Sequence, residues 1–304
     1  MVNEGCHIAL VTDSQSICND YEMDGLVDSL LNAGANPHIV SWEDPAVFWG
    51  SYDMALIRSP WSYTKRPQAF DRWLSIVEHQ VTVLNPPSAI RWNRDKRYLF
   101  EMQQHGIRCI PTVFVESRDD LQKVHGFIQR WRYEFSRFVV KPAIGAYSRG
   151  VKSFDTEELQ SQILDRNSSD FWSEPFLLQP YIESIDAYGE MDIVCFNAEI
   201  SHYVTKDPLL RGRSAALEPT QERRRLGVSP LTEPALNMIH DVNEAAQKLL
   251  KLEDPLLYSR IDLVPDGNGS YFLLEYEIFE PSLSLNLHPT SFAIFTRNIL
   301  ERLR

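Results

Sequence analysis

Four ionisable side chains stand two residues apart inside two apolar runs: Arg260 and Asp262 in "LYSRIDLVP", and Glu275 and Glu277 in "YFLLEYEIF". Successive side chains of a β-strand alternate faces, so each pair shares a face of its strand. The connecting "DGNG" predicts a hairpin. If the turn holds an even number of residues, even positions of the first strand share a face with odd positions of the second. Arg260, Asp262, Glu275 and Glu277 then line one surface, and an odd turn breaks that prediction. Carboxylates side by side repel unless water or a cation screens them. Three acids with one arginine suit magnesium, a hard ion that takes carboxylate oxygens and keeps positions for waters and phosphates. A solvated sheet face with cross-strand ion pairs fits the same spacing.

Phosphate chemistry is the second theme. In "RFVVKPAIGAYSRGV" an apolar strand delivers Lys141 to a glycine-containing loop, where a cation and backbone amides can hold phosphate. Gly145 and Gly150 have the spacing of a P-loop, but Val151 and Lys152 occupy the Lys and Ser/Thr positions, and a strand rather than a helix follows. The segment from Gly145 through Ser148 to Gly150 therefore reads as a flap between two strands, its amides closing on a triphosphate. In "LLQPYI", Pro180 leaves a strand one donor short beside Gln179 and Tyr181, exposing backbone groups that a purine edge can use. "GAYSRG" misses the nucleophile-elbow pattern by one position, which sets hydrolase aside.

These residues need a scaffold, and the chain is ample for one: 304 residues, 43% hydrophobic and 24% charged. A net charge of -12 argues against broad nucleic-acid binding and leaves small polyphosphates open. Cys6, Cys18, Cys109 and Cys195 lack CxxC spacing and the histidines lack HxxH or HExxH, so neither zinc nor a disulfide framework is predicted. No apolar run approaches a membrane span, and the start is too acidic for a signal peptide, so a cytoplasmic protein is expected.

Residues 1–87 alternate strand and helix signals, implying a parallel sheet covered by helices. Ligands of such sheets sit beyond the strands' carboxyl ends, where "LIRSPWSY" offers Arg58 to an anion. The Pro86-Pro87 pair marks a boundary. "WNRDKRYLFEMQQHG" then reads as one helix, capped by Asn93 or Asp95 and closed by Gly106, followed by the strand "CIPTVFVE". A polar stretch from about Leu210 to Thr232 reads as a loop of the kind that orders over a ligand.

Taken in order, "WNRDKRYL", "VVKPAIGAYSRG", "LLQPYI", "YSRIDLV" and "LEYEIFEPSL" resemble the ATP-grasp superfamily, with "LIRSPWSY" and "LNPPSAIRWN" similar to its preceding domain. The likeness is greatest to the small bacterial ligases that include the D-cycloserine biosynthetic cyclo-ligase. It implies an α/β chain: a parallel pre-grasp domain (1–87), a small lobe (88–175) and a C-terminal lobe with the metal site (176–304), the two α+β lobes clamping ATP. It implies that Lys96 and Lys141 reach the nucleotide, that Gln179, Tyr181 and Ile182 meet adenine, and that Glu183 or Glu190 meets the ribose.

The resemblance also implies magnesium or manganese on Asp262, Glu275 and Glu277, the last an asparagine in many relatives. Glu280 and Ser282 lie where substrate comes near the metal, and Lys206 and Arg211 where cations approach phosphates or acceptor. Arg58 and Arg260 are candidates for a substrate carboxylate. The implied reaction is ADP-forming ligation of an amino-acid-like carboxylate to an amine through an acyl phosphate, in specialised metabolite biosynthesis of the antibiotic kind. Ring closure within one molecule, a small-molecule kinase and a non-catalytic nucleotide-binding module are the rivals, and a homodimer is the family expectation.

Overall fold

The computed structural model describes residues 5–146, 148–164, 173–210 and 223–303. Arg211 lies outside them. The chain begins with β1 (His7–Thr12), α1 (Met23–Asn32), β2 (Asn36–Ser41), β3 (Met54–Ser59), α2 (Pro67–Val77) and β4 (Thr82–Leu84). The strands form a parallel sheet in the order β2-β1-β3-β4. Parallel neighbours need a crossover, which α1 and α2 supply while covering the sheet. Every residue of β3 is buried as a result.

Next come α3 (Pro87–Asn93), α4 (Tyr98–Gln104), β5 (Val113–Val115), α5 (Leu121–Trp131), β6 (Arg137–Pro142), β7 (Lys152–Asp155), α6 (Thr156–Leu164) and β8 (Phe176–Pro180). The expected single helix over "WNRDKRYLFEMQQHG" is two. Asn93 ends the first instead of capping it, because its amide spans a neighbouring strand, donating to the Tyr276 carbonyl at 2.5 Å and accepting from the Ile278 amide at 3.1 Å. The strand expected over "CIPTVFVE" shortens to Val113–Val115. β5 to β8 make an antiparallel sheet in the order β5-β8-β6-β7.

The chain continues through α7 (Ser184–Tyr188), β9 (Glu190–Phe196), β10 (Glu199–Lys206), β11 (Arg224–Leu226), α8 (Glu233–Leu250), β12 (Tyr258–Pro265), β13 (Tyr271–Glu277) and α9 (Ser291–Glu301). An antiparallel sheet runs β11-β10-β9-β12-β13, so the strand expected only as part of a loop, β11, is its edge. One face buries Ile193, Ile261, Leu263 and Leu273 under α4 and α8, through Leu99, Met102, Ile239 and Val242. The opposite face is left for chemistry.

The β12–β13 turn is odd: Pro265 pairs with Tyr271, leaving Asp266 to Ser270 between them. A register shift at Asp262/Leu263 offsets this. Leu263 faces Leu273, Asp262 faces Glu275, and Leu274 is the extra residue of a bulge. Arg260, Asp262, Glu275 and Glu277 thus share a face for a different reason from the even turn that the sequence suggested.

We propose three structural units, with the first boundary at Pro86-Pro87. The second belongs after Pro180 rather than at 175, because β8 pairs in the sheet of β5 to β7. The last helix returns to the first unit: Phe295 and Ile299 of α9 share a core with Leu26 and Leu30 of α1. Their approach needs Gly25, where an added Cβ meets the Phe292 ring at 2.5 Å.

A buried carboxylate fastens the first unit to the chain after β13. Glu22 accepts from Arg58 at 3.0 Å, from the Ser282 hydroxyl at 2.8 Å, and from the amides of Leu283 at 3.1 Å and Ser284 at 2.5 Å. Glu22→Gln strands the buried Arg58 cation and is expected to lower stability by about 3–5 kcal/mol, read from denaturant midpoints. Glu22→Gln combined with Arg58→Met is expected to recover part of that loss.

His202 holds the same segment from below. Its Nε2 lies 2.8 Å from the Leu283 carbonyl, which can only accept, so Nε2 carries the proton and Nδ1 accepts from Ser201 at 3.0 Å. Burial pushes the imidazole down from 6.5 to about 4, with the stacked His288 adding to the effect against the Leu283 carbonyl. The unfolded chain therefore binds more protons between those values, and stability falls as pH drops through that window. His202→Gln is expected to flatten the acid side of a plot of melting temperature against pH.

Candidate active site

Between the small antiparallel sheet and the bare face of the larger one lies a cavity. Cross-strand register builds its floor. Glu275 faces Asp262, Asp262 faces Asp192, Arg260 faces Glu277, and Lys206 faces Glu190. Just before β9, Gly189 (φ +76°) passes so close to the end of β10 that any Cβ would strike the Lys206 carbonyl oxygen.

Acids in a row across three strands are tolerable because cations interleave them. Arg260 binds Asp262 through two contacts at 2.7 and 2.8 Å, binds Glu277 at 2.5 Å and lies 3.6 Å from Asp192. Lys206 reaches Glu190 at 2.5 Å and Asp192 at 3.2 Å. From the opposite lobe Lys96 and Lys141 meet Glu275 at 3.3 and 3.2 Å.

The consequence is a set of carboxyls with unlike proton affinities. Burial raises Glu275, but Lys96 and Lys141 overcome it and hold the group at about 2. Burial lifts Glu277 to about 7 and Glu190 to about 8, with neighbouring acids adding to the rise against Arg260 and Lys206 respectively. Glu280 reaches about 8 through burial and the charge of Glu277. Asp192 goes the other way, since Lys206, Arg260 and Arg224 outweigh its burial.

Many of the residues named from sequence converge here. Lys96, Lys141, Gly145, Ser148, Gln179, Tyr181 and Ile182 line the cavity from the small lobe and its hinge. Glu190, Lys206, Arg260, Asp262, Glu275, Glu277, Glu280 and Ser282 line it from the larger sheet and the segment after it. Three do not join them. Gly150 (φ +75°) shapes the flap against Pro142, where an added Cβ meets Cγ at 2.8 Å. Glu183 turns to Ser136 at 2.8 Å, leaving Glu190 as the hinge-side acid in the cavity.

Arg58 corrects the expectation of a substrate anchor. It is 2% exposed and committed to Glu22 and the Pro281 carbonyl, so it braces the wall instead. Arg211 and residues 212–222 of the expected ligand-ordered loop lie outside the described residues.

Two residues escaped sequence reasoning. Asp192 is fully buried at the centre of the floor, and its signal was a lone aspartate in the apolar run "MDIVCF", in step with Glu190. Tyr63 donates to Glu280 at 2.6 Å across 217 residues of chain, for which no local signal existed.

The donor set fits a hard divalent cation. One oxygen each from Glu190, Asp192 and Asp262 come within 4.8 Å of one another, and neither Asp192 oxygen accepts a hydrogen bond among the described residues. Glu275 and Glu277 flank that group rather than forming it with Asp262. Asp192→Asn removes the charge that three cations share. It is expected to cost about 3–5 kcal/mol, seen as a melting temperature lowered by roughly 5 °C or more.

The comparisons with known proteins fit this geometry. Residues 8–85 match the family model described as D-cycloserine synthetase DcsG, N-terminal domain. Over 300 residues the chain is 33% identical to the cycloserine biosynthesis protein DcsG of Streptomyces lavendulae, covering 98% of this chain and 99% of that one. The crystal structure of D-cycloserine synthetase DcsG superposes with a TM-score of 0.89 at 31% identity, over 98% of this chain and 100% of the other. The ATP-grasp ligase PsnB, solved with a minimal precursor variant, Mg and ADP, shares the fold with a TM-score of 0.65 at 12% identity, over 99% of both chains. The chain has the ATP-grasp fold and belongs to the family of the cycloserine biosynthesis protein DcsG.

Proposed function

We propose that this chain is an ATP-dependent, ADP-forming carbon–nitrogen ligase of cycloserine type, which activates an amino-acid-like carboxylate as an acyl phosphate and closes it onto a nitrogen. The observation that carries this reading is the acid-and-cation floor under Lys96 and Lys141, in a chain aligned end to end with a cycloserine biosynthesis protein.

Each group has a part the geometry suits. Lys96 and Lys141, now on Glu275, exchange that carboxylate for phosphate oxygens as ATP enters between the sheets. Gln179, Tyr181 and Ile182 lie at the hinge for adenine, and Glu190 is the ribose candidate beside it. Asp192 and Asp262, with Glu190 beside them and Glu275 and Glu277 flanking, would hold magnesium or manganese, which when bound would neutralise phosphate charge. Arg260, fixed by Asp262 and Glu277, presents its guanidinium to the oxygen on which charge develops during acyl transfer. Positioning and neutralisation of this kind meet most of what phosphoryl transfer requires.

No helix among the described residues is long and apolar enough to cross a membrane. A cytoplasmic enzyme is part of the proposal, as is a ring-closing reaction that needs no second substrate.

The test is ADP and phosphate release from magnesium and ATP with amino acids, hydroxamates and ureido amino acids as substrates. Substrate-dependent release of both is expected, with a product lighter by one water for ring closure, and Glu275→Ala lowering the rate at least about 100-fold while ATP still binds. ADP without phosphate makes the protein a kinase, and silence from every pool refutes the ligase.

A further inference from the structure

The cavity's substrate end shows an acid that neither the metal-type cluster nor the cations engage directly. Glu280 lines it beside Trp61 and Ser282. Its Oε1 accepts from the buried Tyr63 hydroxyl at 2.6 Å, and its carbonyl accepts from Trp61 Nε1 at 3.1 Å. Among the described residues Oε2 accepts no hydrogen bond. Glu280 lies outside the Glu190, Asp192 and Asp262 group. Arg260 bonds Asp262, Glu277 and the Ser282 carbonyl rather than Glu280, and Arg58 pairs with Glu22.

A carboxylate clamped on one oxygen, with the other open to a reaction cavity, has the geometry of a proton acceptor. Building on the ligase reading, we propose that Glu280 is the catalytic base for the attacking nitrogen and that Tyr63, from the first structural unit, positions it. The nitrogen lone pair forms the C–N bond at the acyl carbon. The C–O bond to phosphorus's oxygen breaks, phosphate leaves with that electron pair, and the nitrogen's proton passes to Glu280 Oε2 and on to solvent.

The test separates the two half-reactions in the full chain with magnesium, pooled amino acids, hydroxamates and ureido amino acids, and ATP labelled at the β,γ-bridge oxygen. Scrambling of the bridge label reports acyl-phosphate formation, and product mass reports ring closure. Glu280→Gln is expected to keep scrambling while product formation falls about 100-fold or more. Tyr63→Phe, which keeps the ring packing, is expected to fall about tenfold in kcat at an unchanged KM for ATP. Formate is expected to restore part of the activity of Glu280→Ala, a rescue that a merely structural role would not permit. Loss of scrambling in step with product, or product at the wild-type rate in Glu280→Gln, overturns the assignment. Wild-type protein with neither scrambling nor product overturns the ligase reading itself, and this inference with it.

Discussion

Charge compensation on one face of the large sheet is the constraint around which the molecule is arranged. Glu275, Asp262 and Asp192 lie opposite one another on three adjacent strands. Buried carboxylates at that spacing are tolerated only when cations of fixed geometry share them. Arg260 provides that geometry through its planar fork, and Lys206 completes it from β10. Strand order matters because β9 must lie between β10 and β12 for Asp192 to meet both.

The face works only because something closes over it, and that wall comes from far away in sequence. Asn85, at the end of the first unit, donates to the carbonyls of Tyr258 and Ile278 at 2.8 and 2.6 Å and accepts from the Leu257 amide at 2.7 Å. Glu22 and Tyr63 grip the chain just beyond, at Ser282 to Ser284 and at Glu280. The first unit thus sets the wall of the reaction cavity, and its buried ion pair explains why Arg58 serves structure and not substrate.

The unequal carboxyls follow from the same arrangement. Glu275 faces two lysines across the cavity and stays ionised, whereas burial, with neighbouring acids adding to it, makes Glu277 and Glu280 hold protons more tightly. The floor thus combines the cations Lys96 and Lys141 beside Glu275 with carboxyls of raised proton affinity at Glu277 and Glu280.

Alternation in "YSRIDLVP" and "FLLEYEIF", the Lys141-to-glycine flap and the ordered series of motifs were legible in the sequence, because each depends on spacing within one strand or loop. They determined the fold class and most of the cavity's polar residues. Tertiary structure decided the rest. A bulge at Leu274, not an even turn, put four charged residues on one face, since a ladder can absorb one extra residue anywhere along it. Asn93 became a bracket for β13, Arg58 a buried brace and Tyr63 the partner of Glu280, because each role is set by a chain segment more than 180 residues away or by the pairing of two separate units. Local periodicity says which way a side chain points from its own strand, and only packing says what it meets there.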